Sequence, residues 1–172
     1  VNSWVDCAVS GGLTEASFWV FVGQDIQYSL SDQSPLRLNF QLFNDKLQQA
    51  WQAESPPPER SWTRKAIWLL AETIQYCYSD GKKSPEEYES LRKRIESWEK
   101  TKPDSFSPLF YAEADPAGDI PFPTILYAHS WHSKSILALD QVVRVNVVHH
   151  SLRNPAHRNG PDPVDHIRSG TI

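Results

Sequence analysis

The side chains with the most obvious capacity for chemistry are histidines. His129 and His132 stand three apart, and His149 and His150 are adjacent further on. Residues at i and i+3 share a helix face, so the first pair could offer two imidazoles to a metal ion. On a continuous helix His149 would lie about 25 Å beyond His132, too far for one site to hold both pairs. No Glu or Asp accompanies His129 and His132 in the pattern of a zinc hydrolase, so they are expected to be core or interface residues with no metal. Glu113, Asp115 and Asp119 fall close together in a proline-rich stretch but lack the alternating ligands and closing Glu of a calcium loop. No Gly-x-Ser-x-Gly elbow presents a serine nucleophile. Gly11-Gly12 precede a helix without the Lys-Ser/Thr that closes on phosphate. No catalytic residue is assigned.

Two further groups stand out. Asp25 sits in the middle of an otherwise apolar helical stretch and needs a partner; Arg37, just past the following turn, is the expected one, in a structural ion pair. Trp19, Trp68 and Trp131, together with His132, are the candidates for lining a ligand pocket, although large aromatics are ordinarily core.

The elements that must position these residues read as all-α. Helical periodicity predicts a helix over 14–30 with Thr14 as N-cap and Trp19, Val22, Ile26 and Leu30 on one stripe. Phe18, Phe21 and Tyr28 form a second apolar face, which predicts burial on most sides. A short helix over 40–53 stops before Pro56-Pro57-Pro58. The next, over 61–78, carries Ile67, Leu70, Ala71, Ile74 and Tyr78 and ends at Asp80-Gly81. Ser84-Pro85-Glu86-Glu87 is a capping box with proline at the first helical position, followed by Tyr88, Leu91, Ile95 and Trp98 at core spacing. A long proline-rich loop over 102–123 brings Phe106, Leu109, Phe110 and Phe122 to the core. A last helix is predicted from Thr124 to Leu152, with a strand as the alternative for the β-branched run Val142 to Val148. Residues 1–154 are thus read as a helical segment and 155–172 as a flexible polar tail.

The chain has 172 residues, 17 basic and 21 acidic, with seven Trp, seven Phe and six Tyr. This much aromatic surface collapses out of water, which excludes disorder throughout. A net charge of −4 and a pI near 5.8 give no electropositive face for nucleic acid. Cys7 and Cys77 build neither a zinc site nor a disulfide framework and are expected to be buried thiols. No apolar run is long enough to span a membrane, and Val1 to Ser10 lacks the features of a signal peptide. The start at Val1 and the unpunctuated end predict a fragment or truncated frame.

In order along the chain, Ala16-Ser17-Phe18-Trp19-Val20-Phe21-Val22-Gly23-Gln24-Asp25-Ile26 and Pro35-Leu36-Arg37-Leu38 resemble a stretch of the regulatory domain of fungal binuclear zinc-cluster transcription factors. Leu91 with Ile95-Glu96-Ser97-Trp98, Pro103-Asp104-Ser105-Phe106-Ser107-Pro108 and Ile120-Pro121-Phe122-Pro123-Thr124-Ile125 look like later elements of the same domain. The resemblance covers most of 13–152. It departs at Gly23, where the family often has Arg, and over 130–138, which follows the family's helix only loosely. It implies an all-helical segment of a larger nuclear regulatory domain with no shared catalytic residues. Zinc and DNA contact would belong to an N-terminal six-cysteine cluster absent from this chain. The implied role is control of transcription through a protein partner or small-molecule inducer, with homodimerisation through the full-length chain. The alternatives are a small helical enzyme or ligand binder reusing the scaffold, and a non-functional remnant.

Overall fold

The computed structural model describes residues 4–81, 83–115 and 121–153, with backbone only at 143 and 146–153. The fold is a multi-helix assembly: α1 (Gly12–Asp32), α2 (Gln41–Ala53), α3 (Glu59–Tyr78), α4 (Pro85–Thr101) and α5 (Ser130–Arg153). Short 3-10 turns occupy Val5–Ala8 and Asp104–Phe106. The all-α expectation holds, with one addition. β1 (Phe110–Ala112), in the proline-rich loop, pairs antiparallel with β2 (Thr124–Leu126) just past it, Tyr111 opposite Ile125, and of the loop residues expected in the core only Phe106 is buried, Leu109, Phe110 and Phe122 being exposed. The last helix consequently begins at Ser130 and not at Thr124, because 124–126 are committed to β2. The β-branched run beyond Val142 is helical.

Helix α1 starts two residues before the predicted cap. Gly11 and Gly12 both hold positive φ, 78° and 61°, a backbone that L side chains rarely adopt. The Gly11 N–H donates to the Glu15 carboxylate at 2.6 Å, so the cap comes from inside the first turn. Phe18, Val22 and Ile26 form the buried stripe, whereas Val20, Phe21 and Tyr28 are exposed, so α1 is buried on one face and not on most sides. It ends on Gln33 in the left-handed conformation.

The capping box at Ser84 forms as the sequence predicts, with the hydroxyl accepting from the Glu86 and Glu87 amides and the Glu87 carboxylate accepting from the Ser84 N–H. Helix α3 is the centre of the molecule. Ala66, Trp68, Leu69, Leu70, Ala71 and Ile74 are all buried, so apolar neighbours surround most of its circumference. It packs chiefly against α5, and also against α1 and α4. One apolar core joins Phe18 and Val22 of α1, Phe43 and Leu47 of α2, the α3 residues, Leu91 and Trp98 of α4, and Leu139 and Val142 of α5. Cys77 is buried in α3, while Cys7 is only partly covered. No described helix is long and apolar enough to cross a membrane.

Candidate functional site

Two constellations flank α3. The first lies at its N-terminus, against the start of α5. Glu59 opens α3, and its Oε2 lies 3.2 Å from Nε2 of His132 and 3.3 Å from the Trp131 indole N–H. The carboxylate can only accept, which fixes the imidazole with its proton on Nε2. The Ser105 hydroxyl, the His132 ring and the Trp131 N–H, in that order of effect, hold the Glu59 carboxyl below the usual carboxylate range. His132 is fully buried. Its Nδ1 is buried and meets no partner among the described residues. Phe106 packs on its ring with centroids 4.4 Å apart. His129 stacks on Trp131 at 4.1 Å and meets His132 edge-on at 5.3 Å. Ser135 donates to the Trp131 carbonyl at 2.7 Å, fixing the first turn of α5.

The imidazole is aligned by a carboxylate, yet it is enclosed by Phe106 and the helix starts. Its chemistry is that of a clamp tying α3 to α5. No group of three or more His, Cys, Asp or Glu residues suited to a metal occurs among the described residues. Asp119 and the side chains of His149 and His150 lie outside the described residues, as does the predicted tail.

The second constellation is a groove of about 250 Å³ where α2, α3 and α4 meet. Trp51 comes from α2, Trp62, Lys65 and Trp68 from α3, Arg94 and Trp98 from α4. Trp62, Lys65 and Leu69 follow at spacings of three and four, so they share one face of α3. Trp68 is held by its N–H to Asn44 Oδ1 at 3.2 Å and by Phe40 stacked on it at 3.7 Å. Trp98 donates to the Trp62 carbonyl at 3.0 Å, with the two rings edge to face. The Lys65 ammonium lies 5.8 Å from the Trp51 ring centre and 5.3 Å from that of Trp62, within cation–π range. Burial pulls its pKa down, with only a longer-range pull upward from Glu54. Arg94, by contrast, is engaged by Glu72 through both of its terminal nitrogens.

The four residues expected to line a pocket do not line one together. Trp68 borders this groove, while Trp19 borders a separate cavity of about 90 Å³ beside the ion pair of Glu15 and Arg64. Trp131 and His132 border neither. Asp25 does meet Arg37, but through the main chain. Its carboxylate accepts from the Arg37 N–H at 3.2 Å and the Leu38 N–H at 3.0 Å. The guanidinium lies instead over the Tyr28 ring, 3.7 Å from its centre. The turn after α1 leaves two amides without helical partners, and the buried carboxylate satisfies them.

Sequence reasoning missed Glu59 because α3 was expected to start two residues later, and missed Lys65 because one lysine on a helix reads as a solvated charge. The signal for Lys65 was its place between Trp62 and Trp68, three residues from each. No family model, curated protein or solved structure matches this chain.

Proposed function

We propose that this chain is a regulatory segment of a fungal zinc-cluster transcription factor, acting in the nucleus through a protein partner or a small-molecule inducer. The observation that carries this reading is apolar surface left open on the folded helices. Leu13, Val20 and Phe21 on α1, and Leu109, Phe110, Phe122 and Leu126 around the hairpin, are between 47% and 84% exposed. Exposed apolar side chains of this size support a surface that packs against something else, in this reading the remaining helices of a larger regulatory domain. The ordered motifs from Phe18-Trp19 to Pro121-Phe122-Pro123 support the choice of family. The tryptophan groove offers an inducer a place where three helices meet, so that binding favours one packing of those helices over another. Zinc and DNA contact belong, in this reading, to a separate six-cysteine module, and dimerisation to the full-length protein.

The test is to join the 172-residue chain to a heterologous DNA-binding module and activation region in fungal nuclei and read a reporter gene. A regulatory segment changes reporter output about fivefold or more, the lower end of ordinary coupling between sites. An unchanged output from a fusion that is present in the nucleus overturns the reading. Reading the frame upstream of Val1 is expected to reveal closely spaced cysteines opening with Cys-x-x-Cys.

A further inference from the structure

The groove between α2, α3 and α4 differs from an ordinary surface hollow in the state of its polar groups. Two of its indoles are already fixed: Trp68 by Asn44, Trp98 by the Trp62 carbonyl. Walls held in place in this way lose little side-chain freedom when a ligand arrives. Among the described residues no carboxylate comes within ion-pair distance of Lys65. Glu54 is the acid that acts on it, from beyond that distance; its Oε1 accepts from the Ser61 hydroxyl at 2.7 Å and its Oε2 meets no partner among the described residues. The ammonium has therefore given up part of its water for two indole faces and gained no direct ion pair.

We propose that this groove binds a small aromatic monocarboxylate, its ring lying among Trp51, Trp62 and Trp98 and its carboxylate meeting the Lys65 ammonium. Size and charge both lead to this class. About 250 Å³ is below the roughly 300–1,000 Å³ of pockets for drug-sized molecules, which suits one or two fused rings. A phosphate dianion needs several convergent donors, and the Arg94 fork that could supply them is taken by Glu72. One free ammonium matches one negative charge. The proposal deepens the reading above by naming the inducer class. It is tested by binding alone, so its failure leaves the reporter result standing, and the reverse.

The experiment titrates the full chain with 2-naphthoate and, separately, with the uncharged 2-naphthamide, following tryptophan fluorescence and heat of binding. Naphthoate is expected to saturate and to bind about tenfold more tightly than the amide, a difference of about 1.4 kcal/mol. In Lys65→Met the two probes should bind within about twofold of each other, and Lys65→Arg should retain most of the preference, with far-UV circular dichroism unchanged in both. Lack of saturable binding by the unsubstituted chain, equal affinity for the two probes, or an undiminished preference in Lys65→Met each overturns the proposal. Displacement of naphthoate by an equal concentration of inorganic phosphate overturns the assignment to a carboxylate.

Discussion

The two constellations on α3 are built from similar parts and end in opposite states. Each joins a long-range aromatic cluster to one ionisable group of α3, Glu59 at its N-terminus and Lys65 less than two turns further on. At Glu59 the molecule supplies its own partners, from the loop after α4 and from α5, and the cluster is closed. At Lys65 the molecule supplies only aromatic faces, and the cluster is open to a ligand. Phe106 touches both, 5.8 Å from Trp98 and 4.4 Å from His132 between ring centres. The contrast separates a polar contact that holds a fold together from one left for something to bind.

The largest effect on this comparison should come from removing what joins the two sides. Phe106 is 1% exposed, and Phe106→Ala leaves a cavity under both clusters. It is expected to cost about 3–5 kcal/mol in denaturant unfolding and to loosen the groove and the clamp together. A loss confined to one cluster would show that they are mechanically separate. Next in size is Glu59→Ala, which leaves the buried His132 ring with neither nitrogen partnered. An unsatisfied buried donor costs about 1–3 kcal/mol, whereas Glu59→Gln keeps an acceptor and should cost less than half as much.

Acid sharpens the comparison further, since a carboxylate serves each side with opposite sign. Glu59 has its folded pKa below the ordinary 4.5, so its contribution is present above that pH and is lost as pH falls through the folded value. Glu72, the partner of Arg94 at the groove, is pushed up by burial more than its ion pair pulls it down. Its contribution is present below pH 4.5 and is lost as pH rises through the folded value. Unfolding of the original chain and of Glu59→Gln should therefore differ most above pH 4.5 and converge in more acid solution. For Glu72→Gln the difference should instead open as pH rises past that point. The Glu59 change is modest, because that carboxylate is two-fifths exposed.

How much of this was legible in the sequence follows from the kind of signal each element carries. The helices over α1 to α4 announce themselves through repeated apolar spacing, and the Ser84 box states its own geometry because its partners are three residues apart. The hairpin left no such trace. Its strands have three residues each, and Thr124, Ile125 and Leu126 are all exposed, so alternation had nothing to reveal and their apolar character merged with the helix behind them. The position of Asp25 in an apolar helix calls for a partner, but the demand comes from two main-chain amides of the following turn, which carry no residue identity. Glu59 and His132 are 73 positions apart, and no local pattern links them.

The smallest expected effect is the most discriminating. Lys65→Met should leave unfolding stability within about 0.5 kcal/mol of the original, the range of surface changes away from structural features. The two losses in this variant are a pair of distant cation–π contacts. Set against Glu59→Ala, this result would mean that the fold depends on one charge of α3 and not on the other. A loss as large as that of Glu59→Ala would put Lys65 among the groups that hold the helices together and would close the distinction. A neutral result, joined to loss of the preference for naphthoate, would assign the lysine to a ligand, because a half-buried cation that the fold does not need otherwise only costs hydration.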